Sequence, residues 1–149
     1  MISTQRSSFS VLSKNDKLAT IKYLDEDSIE YFYQGEVDNK DRFHGYGKLW
    51  NQDYSYHGHF SENNLDGEGV LTYLRKNTDQ DNTFPLYYKG TFENNRKNGK
   101  GLEKYFNKEF YEGNFLNDYR HGEGILYNPN GKAKIESNWE LGRSINTKY

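Results

Sequence analysis

The chain has no cysteine in its 149 residues. Disulfides and thiolate metal sites are therefore excluded. Aliphatic residues are scarce: only 33% of the sequence is hydrophobic, and mean hydropathy is -1.15. A thick closed core would draw on more Leu, Ile and Val. No apolar run approaches the roughly 18 residues that a membrane-crossing helix needs, and no signal-peptide apolar region is present. Charge of one sign is not in excess either. The net charge of -2 creates no bulk field toward nucleic acid or anionic lipid, so neither is expected as a partner.

Aromatic residues are abundant. They make up 17% of the chain, with 14 tyrosines among them. Disordered segments are poor in aromatics. A polar but aromatic-rich chain points to a thin, ordered structure with much wet surface, such as an open sheet or a solenoid.

The aromatics and glycines are also periodic. Residues 111–127 set the frame: Tyr111, Gly113 and Phe115 at alternate positions, a polar run, then Gly122 and Gly124 leading into an apolar tail. The frame recurs as Tyr88, Gly90, Phe92, Gly99, Gly101 and as Tyr56, Gly58, Phe60, Gly67, Gly69. Tyr33, Gly35, Val37, Gly45 and Gly47 give another copy, and a decayed one has Ser137 and Trp139 in the glycine and aromatic places. The first glycines, at 35, 58, 90 and 113, step by 23, 32 and 23 residues. A fixed period above about 20 residues marks a repeat array.

Each copy reads as two short strands, because its aromatics and glycines alternate and so share a face. The run Asn117-Asp118-Tyr119-Arg120-His121 reads as the turn between them, and Asn128-Pro129-Asn130-Gly131 as a turn between repeats. With no helical period to supply a crossover, the hairpins are expected to form an antiparallel meander. Glycine inside a strand costs roughly 0.5–1 kcal/mol against alanine, so its recurrence needs a reason. The expected one is a close approach, with aromatics of the adjacent hairpin lying over bare backbone.

The joint pattern Tyr-x-Gly-x-Phe and Gly-x-Gly resembles the MORN repeat (membrane occupation and recognition nexus). The resemblance spans residue 33 to about 142, with departures at Val37, before Gly45, in the spacer at 74–86 and at Ser137. It implies an all-β, single-layer meander of hairpins. The organisation expected is an extension over 1–30 with one capping strand at 17–30, a repeat array over 31–142 and a tail over 143–149. The resemblance also implies a non-catalytic scaffold or adaptor without cofactor or metal, in the manner of ciliary, axonemal and cytoskeletal members of the family. A peripheral membrane or phospholipid-associated module is an alternative. So is an accessory subunit of a mitochondrial or other organellar complex, on the strength of the acid-free, serine-rich residues 1–14.

Other constellations are explained by the repeat register. His44 and His121 precede Gly-x-Gly pairs, and His57 and His59 lie on the face opposite Gly58, without the further ligands a metal needs. Gly99-Lys100-Gly101 opens a strand rather than the helix a phosphate loop requires. Asp66, Glu68, Glu112 and Glu123 read as solvated repeat positions. The aromatic row remains as a contact surface for partner proteins of a larger assembly. The residues expected to carry it are Tyr33, Trp50, Tyr56, Phe60, Tyr88, Phe92, Tyr111, Phe115 and Trp139, since Tyr and Trp are enriched at interaction hot spots. Free sheet edges are expected to permit homo-oligomers.

Overall fold

The computed structural model describes residues 3–74 and 84–146. These form one sheet of twelve strands in sequence order: β1 (Ser8–Lys14), β2 (Leu18–Leu24), β3 (Glu30–Val37), β4 (Phe43–Trp50), β5 (Tyr54–Ser61), β6 (Asn64–Tyr73), β7 (Pro85–Glu93), β8 (Arg96–Tyr105), β9 (Phe110–Leu116), β10 (Tyr119–Tyr127), β11 (Ala133–Glu140) and β12 (Arg143–Ser144). Every neighbouring pair is antiparallel. No helix occurs among the described residues. The centre of the 74–86 spacer, residues 75–83, lies outside them.

The hairpins are tight because their turns use residues that accept positive φ. Glu62 and Asn63, Asn94 and Asn95, and Asn117 and Asp118 all have φ between 47° and 75°. This is the conformation a two-residue hairpin loop demands, and Asn and Asp adopt it readily. The turn in residues 111–127 is therefore only Asn117-Asp118. Tyr119, Arg120 and His121, expected in it, belong to β10.

Each of these turns also clasps the hairpin before it. The Asn63 amide donates to the Phe43 carbonyl at 3.0 Å, and the Phe43 amide returns a bond to Asn63 Oδ1 at 2.9 Å. Asn95 makes the same reciprocal pair with Leu65, and Asp118 with Lys97. Gly142 repeats only the backbone half, donating to Arg120 O at 3.1 Å.

The N-terminus departs from expectation. Residues 17–30 are not a lone cap, because β1 pairs with β2 and makes the first hairpin. Preceding it, residues 3–7 cross the aromatic face. Tyr23 Oη donates to Ser3 O at 2.5 Å, Thr4 Oγ1 reaches Asn95 Oδ1 at 3.3 Å, and Arg6 bonds Asn63 Oδ1 at 3.2 Å while its guanidinium lies over Phe43. Thr4 is buried. Arg6 also donates to Asp41 O at 3.4 Å, so polar side chains tie this strap to the turns of three successive hairpins.

A candidate partner-binding face opposite an aromatic spine

The register aligns the repeats residue for residue. Gly35, Gly47, Gly58, Gly69, Gly90, Gly101, Gly113 and Gly124 pair in sequence across the sheet, ending on Ser137. Over this bare row lie the tyrosines, each on its own repeat rather than on the adjacent one. A Cβ added at Gly35, Gly58, Gly90 or Gly113 would come within 2.5–2.6 Å of the hydroxyl of Tyr33, Tyr56, Tyr88 or Tyr111, two residues earlier. Each ring lies along its strand, and each hydroxyl donates to the carbonyl three residues on: Glu36, His59, Thr91 and Asn114. The first glycine of each Gly-x-Gly pair has a different reason. Gly67 and Gly99 have φ of +102° and +83°, which a side chain strains against.

Between the tyrosines stand the phenylalanines, edge-on. The chain of rings runs Tyr33, Phe60, Tyr56, Phe92, Tyr88, Phe115, Tyr111, Trp139, with successive centroids 4.9–5.3 Å apart and interplanar angles of 79–90°. Each such pair contributes about 0.5–1.5 kcal/mol beyond its burial. Val37 stands in the phenylalanine place of the first copy, and its cross-strand partner Phe43 stacks on Tyr33 at 3.9 Å. Rings lying flat and on edge need no second layer to bury them.

This geometry corrects the expected contact surface. Tyr33, Tyr56, Tyr88 and Tyr111 have no exposure, and Phe60, Phe92, Phe115 and Trp139 are 3–4% exposed. They pack on one another and on glycine backbone, leaving nothing to offer a partner. Of the nine residues, only Trp50 is partly exposed. It lies on the opposite face, stacked on Phe32 at 5.6 Å.

The spine carries charge in its C-terminal half. Lys97 and Glu103, 7% and 8% exposed, are ion-paired, and Glu103 also accepts from the Tyr105 hydroxyl. Lys97 lies over the rings of Tyr73, Tyr88 and Phe115. Burial alone would lower its pKa, but Glu103 and Tyr73 hold it above the ordinary lysine value. Arg120 bonds Tyr105 Oη and lies over Tyr105, Tyr111 and Trp139. Burial pushes the spine tyrosines up, Tyr111 to about 12.

The opposite face is open over strands β6–β11. There the sheet forms a groove of about 1070 Å³ floored by the backbone of Gly90, Gly101, Gly113 and Gly124. Along its middle, one cross-strand row reads Lys89, Leu102, Glu112, Ile125, Glu136. Lys100 and Glu123 flank that row. None of these five charges is in an ion pair among the described residues. Of these residues, sequence reasoning read Glu112 and Glu123 as solvated positions and did not connect them with the rest of the row. Its signal was present: Lys89, Leu102, Glu112 and Ile125 each stand one place from a glycine of the frame, and Glu136 one place from Ser137, which replaces one.

The MORN repeat family model matches residues 33–55, 56–73, 88–109 and 111–133, together more than half of the chain. The chain belongs to the MORN repeat family. The four matched MORN repeats are the four that carry a complete Tyr–Gly cradle. The fifth copy lies past the last match, yet Ser137 pairs with Gly124, and Trp139 takes the next edge-on place with its Nε1 donating to Gly124 O at 3.0 Å. The decayed MORN copy thus closes the spine. Among the curated proteins compared with the chain, none matches it.

Proposed function

We propose that this MORN protein is a non-catalytic scaffold or adaptor that holds partner proteins on the sheet face opposite its aromatic spine. The observation carrying this reading is the contrast between the two faces. One is closed by interlocked rings and by the strap of residues 3–7. The other is an open groove whose charged walls have no partners of their own among the described residues. Rigid repeat sheets suit this role, because each repeat places its side chains at a fixed spacing from the next. By resemblance to scaffolding members of the family, the setting proposed is a ciliary, axonemal or cytoskeletal assembly reached from the cytoplasm.

Native pull-down with cross-linking mass spectrometry tests this. Lys89 and Lys100 line the groove, while Lys14 on β1 and Lys22 on β2, at the other end of the sheet, serve as off-site references. A stoichiometric protein joined through Lys89 and Lys100 supports the scaffold. A chain recovered alone, as a monomer, contradicts it.

A further inference from the structure

Resting on the scaffold reading, the structure assigns the groove a partner of definite chemistry: we propose that it takes a protein segment with acidic residues at one end, apolar residues in the middle and basic residues at the other. The groove is electrostatically polar along its length. Lys89 on β7 and Lys100 on β8, the two cations lining the groove, form a positive end, with Glu68 on β6 at its outer rim. Glu112 on β9, Glu123 on β10 and Glu136 on β11 form a negative end. Leu102 and Ile125 sit in the same row as Lys89, Glu112 and Glu136, partly exposed, and provide apolar seats between and beside the charges.

A segment lying across the strands meets these features in fixed order. From β7 to β11 there are four strand spacings, on the order of 19 Å. A helix of about 13 residues spans that length. A uniformly acidic or uniformly basic segment satisfies one end and is repelled at the other, and like-charge juxtaposition is how interfaces reject wrong partners. Segregated charge therefore sets both the partner and the direction in which it lies.

A second copy of the chain is the other occupant with complementary charge. It fits less well. The feature is a recess, which needs something protruding to fill it, and the groove face of a second copy is itself the recess.

The test uses the full chain and two synthetic peptides of equal composition. One has an acidic block, a leucine-rich centre and a basic block; the other has its charges interleaved. Binding is read by fluorescence anisotropy. The segregated peptide is expected to bind at least about tenfold tighter, and more weakly as salt rises. The half-swapped variant Lys89→Glu/Lys100→Glu makes the groove acidic throughout and is expected to lose that preference. Adding Glu112→Lys, Glu123→Lys and Glu136→Lys restores a polar groove and is expected to recover it, with the peptide reversed. All these positions are exposed, so unchanged thermal unfolding separates binding loss from misfolding. Equal binding of the two peptides, or a half-swapped variant that keeps its preference, overturns the proposal. So does a wild-type dimer in light scattering that the half-swap dissociates, since the occupant is then a second copy. A pull-down partner that is retained by the half-swapped variant and cross-linked away from Lys89 overturns this inference while leaving the scaffold reading intact. Absence of any partner for the wild-type chain overturns both.

Discussion

Lys97 and Glu103 occupy the two places that Leu65 and Leu71 hold one repeat earlier. Lys97 pairs with Phe92 as Leu65 does with Phe60, and Glu103 with Tyr88 as Leu71 does with Tyr56. An apolar pair has become a buried ion pair. Breaking such a pair by removing one partner costs about 3–5 kcal/mol, because the survivor is left charged and desolvated, whereas replacing both with hydrophobic residues is neutral or stabilising. Lys97→Leu and Glu103→Leu are each expected to lose that much in urea denaturation, and the double variant to return to wild-type stability or above it. A double variant as unstable as the two single losses combined contradicts the repeat-by-repeat equivalence.

The glycines divide by mechanism, and substitution separates them. A Cβ at Gly124 meets the Tyr111 ring, which is itself packed against Phe115 and Trp139 and has nowhere to go. At Gly122 the nearest atom is 3.8 Å away, and the obstacle is φ of +63°. Gly122→Ala is expected to cost about 1–2 kcal/mol from backbone strain, and Gly122→Asn less. Gly124→Ala is expected to cost more, about 1–3 kcal/mol from overpacking in addition to displacing the tyrosine hydroxyl from Asn114 O. Thermal unfolding of the three variants decides the order.

The Asx clasps make a prediction about how repeats are joined. Asn95 Oδ1 accepts the Leu65 amide at 2.8 Å. Asn95→Gly keeps the positive φ and removes the acceptor of the Leu65 amide, together with the strap contact from Thr4 and the bond from Asn95 Nδ2 to Asn64 Oδ1. The Leu65 amide is then unsatisfied, and an expected loss of about 1–3 kcal/mol follows. Asn94→Gly, one residue away in the same turn, is expected to be close to neutral, because its side chain makes no clasp.

The tyrosine spine fixes the alkaline limit of stability. Burial raises the hydroxyls of Tyr33, Tyr56, Tyr88 and Tyr111, Tyr111 to about 12 against an ordinary value of 10.0. A group whose pKa is higher folded than unfolded contributes stability that is complete below the unfolded value and lost as pH rises through the folded one. The raised Lys97 acts in the same direction. Stability is therefore expected to fall from about pH 10 upward, with the buried phenols ionising together with unfolding. Tyrosinate absorbance that rises for the spine without loss of circular dichroism contradicts this.

Much of the fold was legible because the sheet is built of identical parts. The glycine spacing gave the hairpins, their order and their antiparallel pairing. What the period does not encode is where a side chain lies once its neighbours are in place. Tyr56 and Gly58 alternate on one face in any strand, but that the ring folds down onto its own glycine, and so becomes interior, depends on the hydroxyl finding His59 O. That bond, repeated, buries the four tyrosines, and Phe60, Phe92, Phe115 and Trp139 are buried by standing edge-on against them. The first strand was missed although Phe9 and Val11 alternate, because the surrounding serines mask the pattern. The replacement of Leu65 and Leu71 by Lys97 and Glu103 was visible in the aligned repeats, but only the register shows that the two charges face each other.

Hydroxyl-radical footprinting of the chain, free and with its cross-linked partner, distinguishes the two faces directly. Tyr88, Phe92, Tyr111 and Phe115 are expected to be unreactive in both states, while Leu102 and Ile125 are oxidised in the free chain and protected in the complex. Spine aromatics that react in the free chain and become protected on binding, with Leu102 and Ile125 unchanged, would show that partners use the aromatic face after all.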